Sequence, residues 1–128
     1  MTTNHGRKRW LGPAWLLALC ALTLAPALGT ASRLTYHEAF VAQGAREILA
    51  SGDWSHPTIS GRPWLEKPPL PFWLAAASGA IAGSVSPIAA RLPSALAATF
   101  LALGVFRLAR RRYGDTGGLL AGAAQATT

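Results

Sequence analysis

Four of the five acidic residues, Glu38, Glu47, Asp53 and Glu66, lie between positions 34 and 67, together with His37, His56 and Lys67. A carboxylate in such a cluster can serve as a general base or a metal ligand, and a histidine offers either role through a neutral ring nitrogen. A lysine beside an acid at a lipid boundary suits a phosphate, such as that of a lipid-linked substrate, which it meets as a point charge. Pro68 and Pro69 follow Lys67 directly and hold it in extended geometry. Each residue also has a plainer role. Glu38 stands three positions after Thr35, the spacing of a capping box. Glu66 and Lys67 can form a solvated pair of little energetic weight. His37 and His56 can be surface histidines, and Arg46 and Glu47 read as the solvated side of a helix.

The elements that would position these groups follow from hydrophobic patterning. After Thr35, the residues Phe40, Val41, Ala45, Ile48 and Leu49 recur at helical spacing, and Ser51-Gly52-Asp53 ends the run. A helix over about residues 35–50 is too short and polar to span a membrane, and it is expected to lie along the interface. Trp54 and Trp64 fit the same depth. Residues 55–63 form a turn-rich loop with Pro57, Gly61 and Pro63. A second helix, about residues 70–84, is short for a crossing.

Composition sets the frame around this polar stretch. Of 128 residues, 51% are hydrophobic and only 13% are charged, against about 25% charged in a typical soluble domain. The net charge of +7 is concentrated in Arg7, Lys8 and Arg9 before one apolar stretch and in Arg107, Arg110, Arg111 and Arg112 after another. That distribution marks membrane topology. Basic patches interleaved with aromatic residues are absent, which argues against nucleic acid as a partner. The lone Cys20 excludes a disulfide within the chain.

Residues 10–32 carry no charge and are read as an uncleaved membrane helix, although the small residues around Ala27 and Gly29 also resemble a signal cleavage site. Residues 88–109 are the return helix, with Arg91 snorkelling to the headgroups. Two crossings put both basic clusters on the cytoplasmic side and residues 33–87 outside as an extracytoplasmic loop. Residues 117–128 read as the start of a further membrane helix, so the chain is expected to be an N-terminal fragment of one polytopic domain, inactive alone.

Four stretches share a common likeness: Tyr36-His37-Glu38-Ala39-Phe40, residues 44–54 ending in Ser51-Gly52-Asp53-Trp54, residues 61–70 with Glu66-Lys67-Pro68-Pro69, and Arg91-Leu92-Pro93-Ser94. In this order and spacing they resemble the N-terminal region of the polytopic glycosyltransferases of family 39, related to the protein O-mannosyltransferases and to the aminoarabinose transferases of lipid A. The resemblance implies an all-α integral membrane fold of GT-C type, with juxtamembrane helices in the first extracytoplasmic loop. It implies transfer of a sugar from a polyprenyl-phosphate donor to a lipid, protein or glycan acceptor in the bacterial cell envelope, by an inverting reaction at the inner membrane's outer face.

By the same resemblance, Lys67 contacts the donor phosphate and Glu66 contributes to a catalytic or divalent-metal cluster. Glu38 takes the place of the second acid of the family's Asp-Glu pair. His37 stands where many relatives carry the Asp proposed as catalytic base or metal-site residue. A histidine can accept a proton or bind a metal, and Glu38 or an acid beyond this chain can also supply the base. A non-catalytic membrane subunit or transporter segment, whose loop binds a partner, is the alternative of a different class. A basic protein secreted after signal cleavage is a third.

Overall fold

The computed structural model describes residues 4–29, 34–64 and 66–127, with side chains from Gly12 onward except at positions 27 and 29. The chain is mostly helical. Its elements are α1 (Asn4–Gly29), α2 (Tyr36–Ser51), β1 (Thr58–Ile59), β2 (Arg62–Pro63), α3 (Leu70–Ala82) and α4 (Pro87–Thr127). The expectation of an all-α chain is corrected at one point. Within the turn-rich stretch, β1 and β2 pair antiparallel, Thr58 with Pro63 and Ile59 with Arg62. Ser60 and Gly61 form the two-residue turn between them, both with positive φ of 55° and 72°, as a type I′ hairpin turn requires.

The chain divides into two compact units. In the unit of residues 28–94, α2 starts at a complete capping box on Thr35 and Glu38, and it stops at Gly52, whose φ of 75° gives a left-handed C-cap. Helix α3 starts at the Pro68-Pro69-Leu70-Pro71 run, where proline suits the first helical turn, and it ends at Gly83, also left-handed. Its 13 residues make a rod of about 20 Å, short of a hydrocarbon core of about 30 Å. The core of this unit is Ala42, Ala45 and Ile48 of α2 against Phe72, Ala75 and Ala76 of α3, closed by Val85. Gly44 lets the two helices approach, since a Cβ there would fall 2.6 Å from the Phe72 ring. The other face of α3 exposes Leu70, Trp73, Leu74 and Ile81, the last at 90%, so this helix is apolar on both sides.

In the unit of residues 1–27 and 95–128, Leu16 and Cys20 of α1 pack with Ala102 and Phe106 of α4. Cys20 is buried there as a small apolar side chain. Helix α4 is interrupted at Gly114, with φ 73° and ψ −173°, within the Tyr113-Gly114-Asp115 break where the apolar runs separate. Arg110 and Asp115 form an ion pair across that break. Among the described residues α4 is the one helix long and apolar enough to cross a membrane, while residues 12–26 and α3 are apolar but shorter. Residues 30–32, at the end of the first uncharged segment, lie outside the described residues, as do the side chains of Arg7, Lys8 and Arg9.

Candidate functional site

The first turn of α2 carries the polar residues singled out from sequence, and its capping fixes their direction. The Thr35 hydroxyl accepts from the Glu38 N–H at 3.4 Å, and a Glu38 carboxylate oxygen accepts from the Thr35 N–H at 2.8 Å. The same carboxylate receives Arg91, whose Nε donates at 2.8 Å and whose Nη2 donates at 3.1 Å to the other oxygen. A two-point guanidinium–carboxylate pair of this kind is charge-assisted and directional. The Arg91 side chain is 13% exposed and that of Glu38 32%. Arg91, whose place near the end of the apolar segment also suits snorkelling to headgroups, directs its guanidinium to this carboxylate.

The Arg91 hydrogen bond, followed by that of the Thr35 backbone, pulls the Glu38 carboxyl from its ordinary 4.5 down to about 2. A carboxylate so held is a weak base, and both its oxygens are engaged. Glu38 thereby anchors the turn that carries Tyr36 and His37.

Lys67 arrives from the segment after the hairpin, and its Nζ lies 3.3 Å from Nδ1 of His37. An ammonium can only donate, so a hydrogen bond here takes Nδ1 as its acceptor. Two residues thirty positions apart are thus brought together, while Glu66 and Lys67 do not pair with each other. Glu66 is exposed and has no hydrogen-bond or ion-pair partner among the described residues.

His37, Glu66 and Lys67 form the polar side of a cleft of about 160 Å³, whose other wall is Tyr36, Phe40, Val41, Trp64 and Phe72. Phe40 is the hub of the aromatic wall, with ring centroids 4.7 Å from Tyr36 and 5.2 Å from Trp64. The Trp64 indole N–H is buried without a hydrogen-bond partner among the described residues. The arrangement is a partial site with one cation, one imidazole and one free carboxylate against an aromatic wall.

Among the described residues no three His, Cys, Asp or Glu side chains come together as a metal-binding group. With Glu38 engaged by Arg91, His37 and Glu66 are two candidate ligands beside an ammonium, which is not a complete set for a divalent cation.

Glu47 has a role that patterning along α2 does not reveal. The helical pattern puts it on the solvated side, and the structure shows it gripping the hairpin. Its carboxylate accepts from the Thr58 hydroxyl at 2.5 Å, from the Ser60 and Gly61 N–H groups at 2.6 and 3.2 Å, and from Gln43 Nε2 at 2.8 Å. The Thr58 hydrogen bond leads in holding its carboxyl at about 2, with Gln43, Gly61 and Ser60 adding to it. Asp53 is likewise local. It accepts from the Ser55 and His56 N–H groups and meets the His56 ring at 3.1 Å, contacts that lower its pKa, the Ser55 backbone first. His56 is therefore a turn residue beside Asp53, away from the cleft.

The chain is thus mostly helical, with one apolar helix of spanning length and, in the unit of residues 28–94, a lysine and a histidine on an aromatic cleft. Residues 66–128 match the family described as dolichyl-phosphate-mannose-protein mannosyltransferase. The chain is 31% identical over 120 residues to undecaprenyl phosphate-alpha-4-amino-4-deoxy-L-arabinose arabinosyl transferase 2 of Pseudomonas fluorescens, an alignment covering 89% of this chain and 19% of that protein. An arabinosyl transferase of Pseudomonas savastanoi pv. phaseolicola, named for the same donor, is 32% identical over 107 residues, 84% of this chain and 20% of that protein. The chain spans about one fifth of the length of these curated relatives. No solved structure matches it. Residues 66–128 are thus similar to the dolichyl-phosphate-mannose-protein mannosyltransferase family, and most of the chain is similar to the arabinosyl transferases, as the resemblance around Glu66-Lys67-Pro68-Pro69 implied.

Proposed function

We propose that this chain is the N-terminal part of a membrane glycosyltransferase that moves a sugar from a polyprenyl-phosphate donor to an acceptor on the extracytoplasmic face. The observation that carries this reading is the meeting of Lys67 and His37 at 3.3 Å on the rim of an aromatic cleft. The names of the relatives, which specify an undecaprenyl phosphate-linked sugar, support the choice of donor. Residues 33–87 then lie on the outer side of a bacterial inner membrane. Helix α4 spans it over residues 88–109, residues 10–32 form the other crossing, and the exposed apolar face of α3 rests in the lipid interface.

In this reading Lys67 is the donor-phosphate residue. Its ammonium stabilises the charge that develops on the phosphate as the bond to the sugar breaks. The movement of Lys67 from His37 to the phosphate frees Nδ1 of His37, which can then take the proton of the acceptor. Glu66, unpaired among the described residues, is the carboxylate open to the acceptor or to a metal. A divalent cation would draw two ligands from here, His37 and Glu66, with the rest of its shell from residues beyond these. Glu38 acts as a positioning residue through Arg91 and the α2 cap.

Substitution in the full-length transferase tests the assignment. Lys67→Ala should lower transfer by about 10²–10³-fold, the cost of removing one donor aimed at developing charge, and Glu66→Ala should abolish it, with membrane insertion unchanged in both. A photoreactive polyprenyl-phosphate sugar should crosslink next to Lys67. Wild-type turnover in both variants would refute the proposal.

A further inference from the structure

We propose that Glu47 is a positioning residue that sets the width of the cleft by clasping the hairpin turn, a role that rests on the site reading above. Its carboxylate lies in the third turn of α2 and collects the hydroxyl of Thr58 and the consecutive N–H groups of Ser60 and Gly61. Successive N–H groups in a tight turn converge on one point and form a small anion-binding concavity, and here the anion is a side chain of the chain itself. Gln43 donates to the same carboxylate from one turn earlier and holds it in place.

The clasp fixes the turn itself, while Ile59 and Trp64 on either side of it pack against the core of the unit. The hairpin's ladder is two residues long on each side, and an isolated hairpin of that size is marginal in water. The Trp64 N–H donates to the Pro57 carbonyl at 2.9 Å, continuing the pairing by one step. Trp64 is in the cleft wall and Lys67 follows three positions later. Helix α2 therefore carries one side of the cleft through His37 and Phe40, and through Glu47 it grips the segment that delivers the other side. The distance between His37 and Lys67 depends on that grip.

The role separates from a direct part in the chemistry by a rescue. Asn-Gly is the strongest sequence for a type I′ turn, and position 60 is exposed, so Ser60→Asn strengthens the turn without touching the cleft. In the full-length transferase, Glu47→Ala should speed amide exchange at Ser60 and Gly61 and lower kcat/KM for the polyprenyl-phosphate sugar roughly tenfold, the size of a lost charge-assisted hydrogen bond. Glu47→Gln keeps an acceptor oxygen and serves where the alanine variant folds poorly; it should lose less. Adding Ser60→Asn to either should slow exchange again and recover most of the lost kcat/KM.

Unchanged exchange at Ser60 and Gly61 in Glu47→Ala would overturn the proposal. So would unchanged kcat/KM with a loosened hairpin, or a kcat/KM that stays low when Ser60→Asn restores the turn. Failure of the site reading shows separately, as an active Lys67→Ala protein, while exchange at Ser60 and Gly61 still reports the clasp.

Discussion

Removing the Glu38 carboxylate should loosen the first turn of α2 by an amount that can be worked in two ways from the same contacts. The first adds contacts. Glu38→Ala loses half of the capping box, a hydrogen bond of 2.8 Å to the Thr35 N–H, worth about 0.5–1 kcal/mol. It also loses the two-point pair with Arg91, whose side chains are 13% and 32% exposed. That pair falls between exposed pairs, worth about 0–1 kcal/mol, and buried pairs, whose breakage costs about 3–5 kcal/mol. A value of about 1.5 kcal/mol for the pair brings the sum to roughly 2 kcal/mol. The second route uses linkage. A carboxyl held at about 2 in place of 4.5 would contribute about 3 kcal/mol at neutral pH if fully shielded, and solvent screening of a side chain one-third exposed cuts that to about 1–2 kcal/mol. Both routes converge near 2 kcal/mol, about a 30-fold rise in local opening. Hydrogen exchange at Ala39, whose N–H closes the first turn on the Thr35 carbonyl at 2.8 Å, reads that opening directly in a lipid nanodisc. Arg91→Ala combined with Glu38→Ala should cost about 1–2 kcal/mol less than the two changes summed, because they break the same pair. Exchange at Ala39 within twofold of wild type in Glu38→Ala, or strict additivity in the double variant, would refute the reasoning.

Two further outcomes follow from other parts of the same unit. Gly44→Ala places a methyl group 2.6 Å from the Phe72 ring and should destabilise the α2–α3 pair by about 1–3 kcal/mol, measured as faster exchange in both helices; a neutral result would mean that α3 can slide outward at no cost. Glu38 and Glu47 both have carboxyls lowered to about 2, so the stability they contribute is fully present above about pH 4.5 and is lost as pH falls through that value toward 2. Exchange at Thr35–Gly61, corrected for its intrinsic pH dependence, should be flat from about pH 8 to 5 and accelerate below about pH 4; acceleration already at pH 6 would point to a different titrating group.

What could be read from sequence was what is local. The Thr35–Glu38 spacing declares a capping box, and both of its hydrogen bonds form. The break of the last apolar run at Tyr113-Gly114-Asp115 is where α4 leaves helical geometry. The Glu66-Lys67-Pro68-Pro69 run, together with Arg91-Leu92-Pro93-Ser94, carried the resemblance to the family, since such motifs are written in neighbouring residues. Contacts across many residues left no such mark. Glu38 and Arg91 are fifty-three positions apart, and either side chain alone fits a plainer role, as a cap or as a snorkelling arginine. Glu47 looks solvated on a helical wheel because the hairpin that covers it comes from later in the chain. The one available hint was the Ser60-Gly61 turn, whose inward N–H groups need an acceptor, but nothing in the spacing says which carboxylate supplies it. The choice of His37 as the partner of Lys67 was hidden in the same way.

The interface of α2 with α3 is made of Ala42, Gly44, Ala45, Ala75 and Ala76, with Phe72 and Ile48 as its larger members. Helices that meet through such small residues are held by close van der Waals fit, which works in lipid where hydrophobic burial offers little gain. The two faces of these helices should therefore drift at different rates over evolution. Outward positions such as Leu74 and Ile81 can exchange among apolar residues, while the inward ones have no room to grow. A duplicated copy of this unit could change its outer surface freely, leaving the scaffold that brings His37 to Lys67 unaltered.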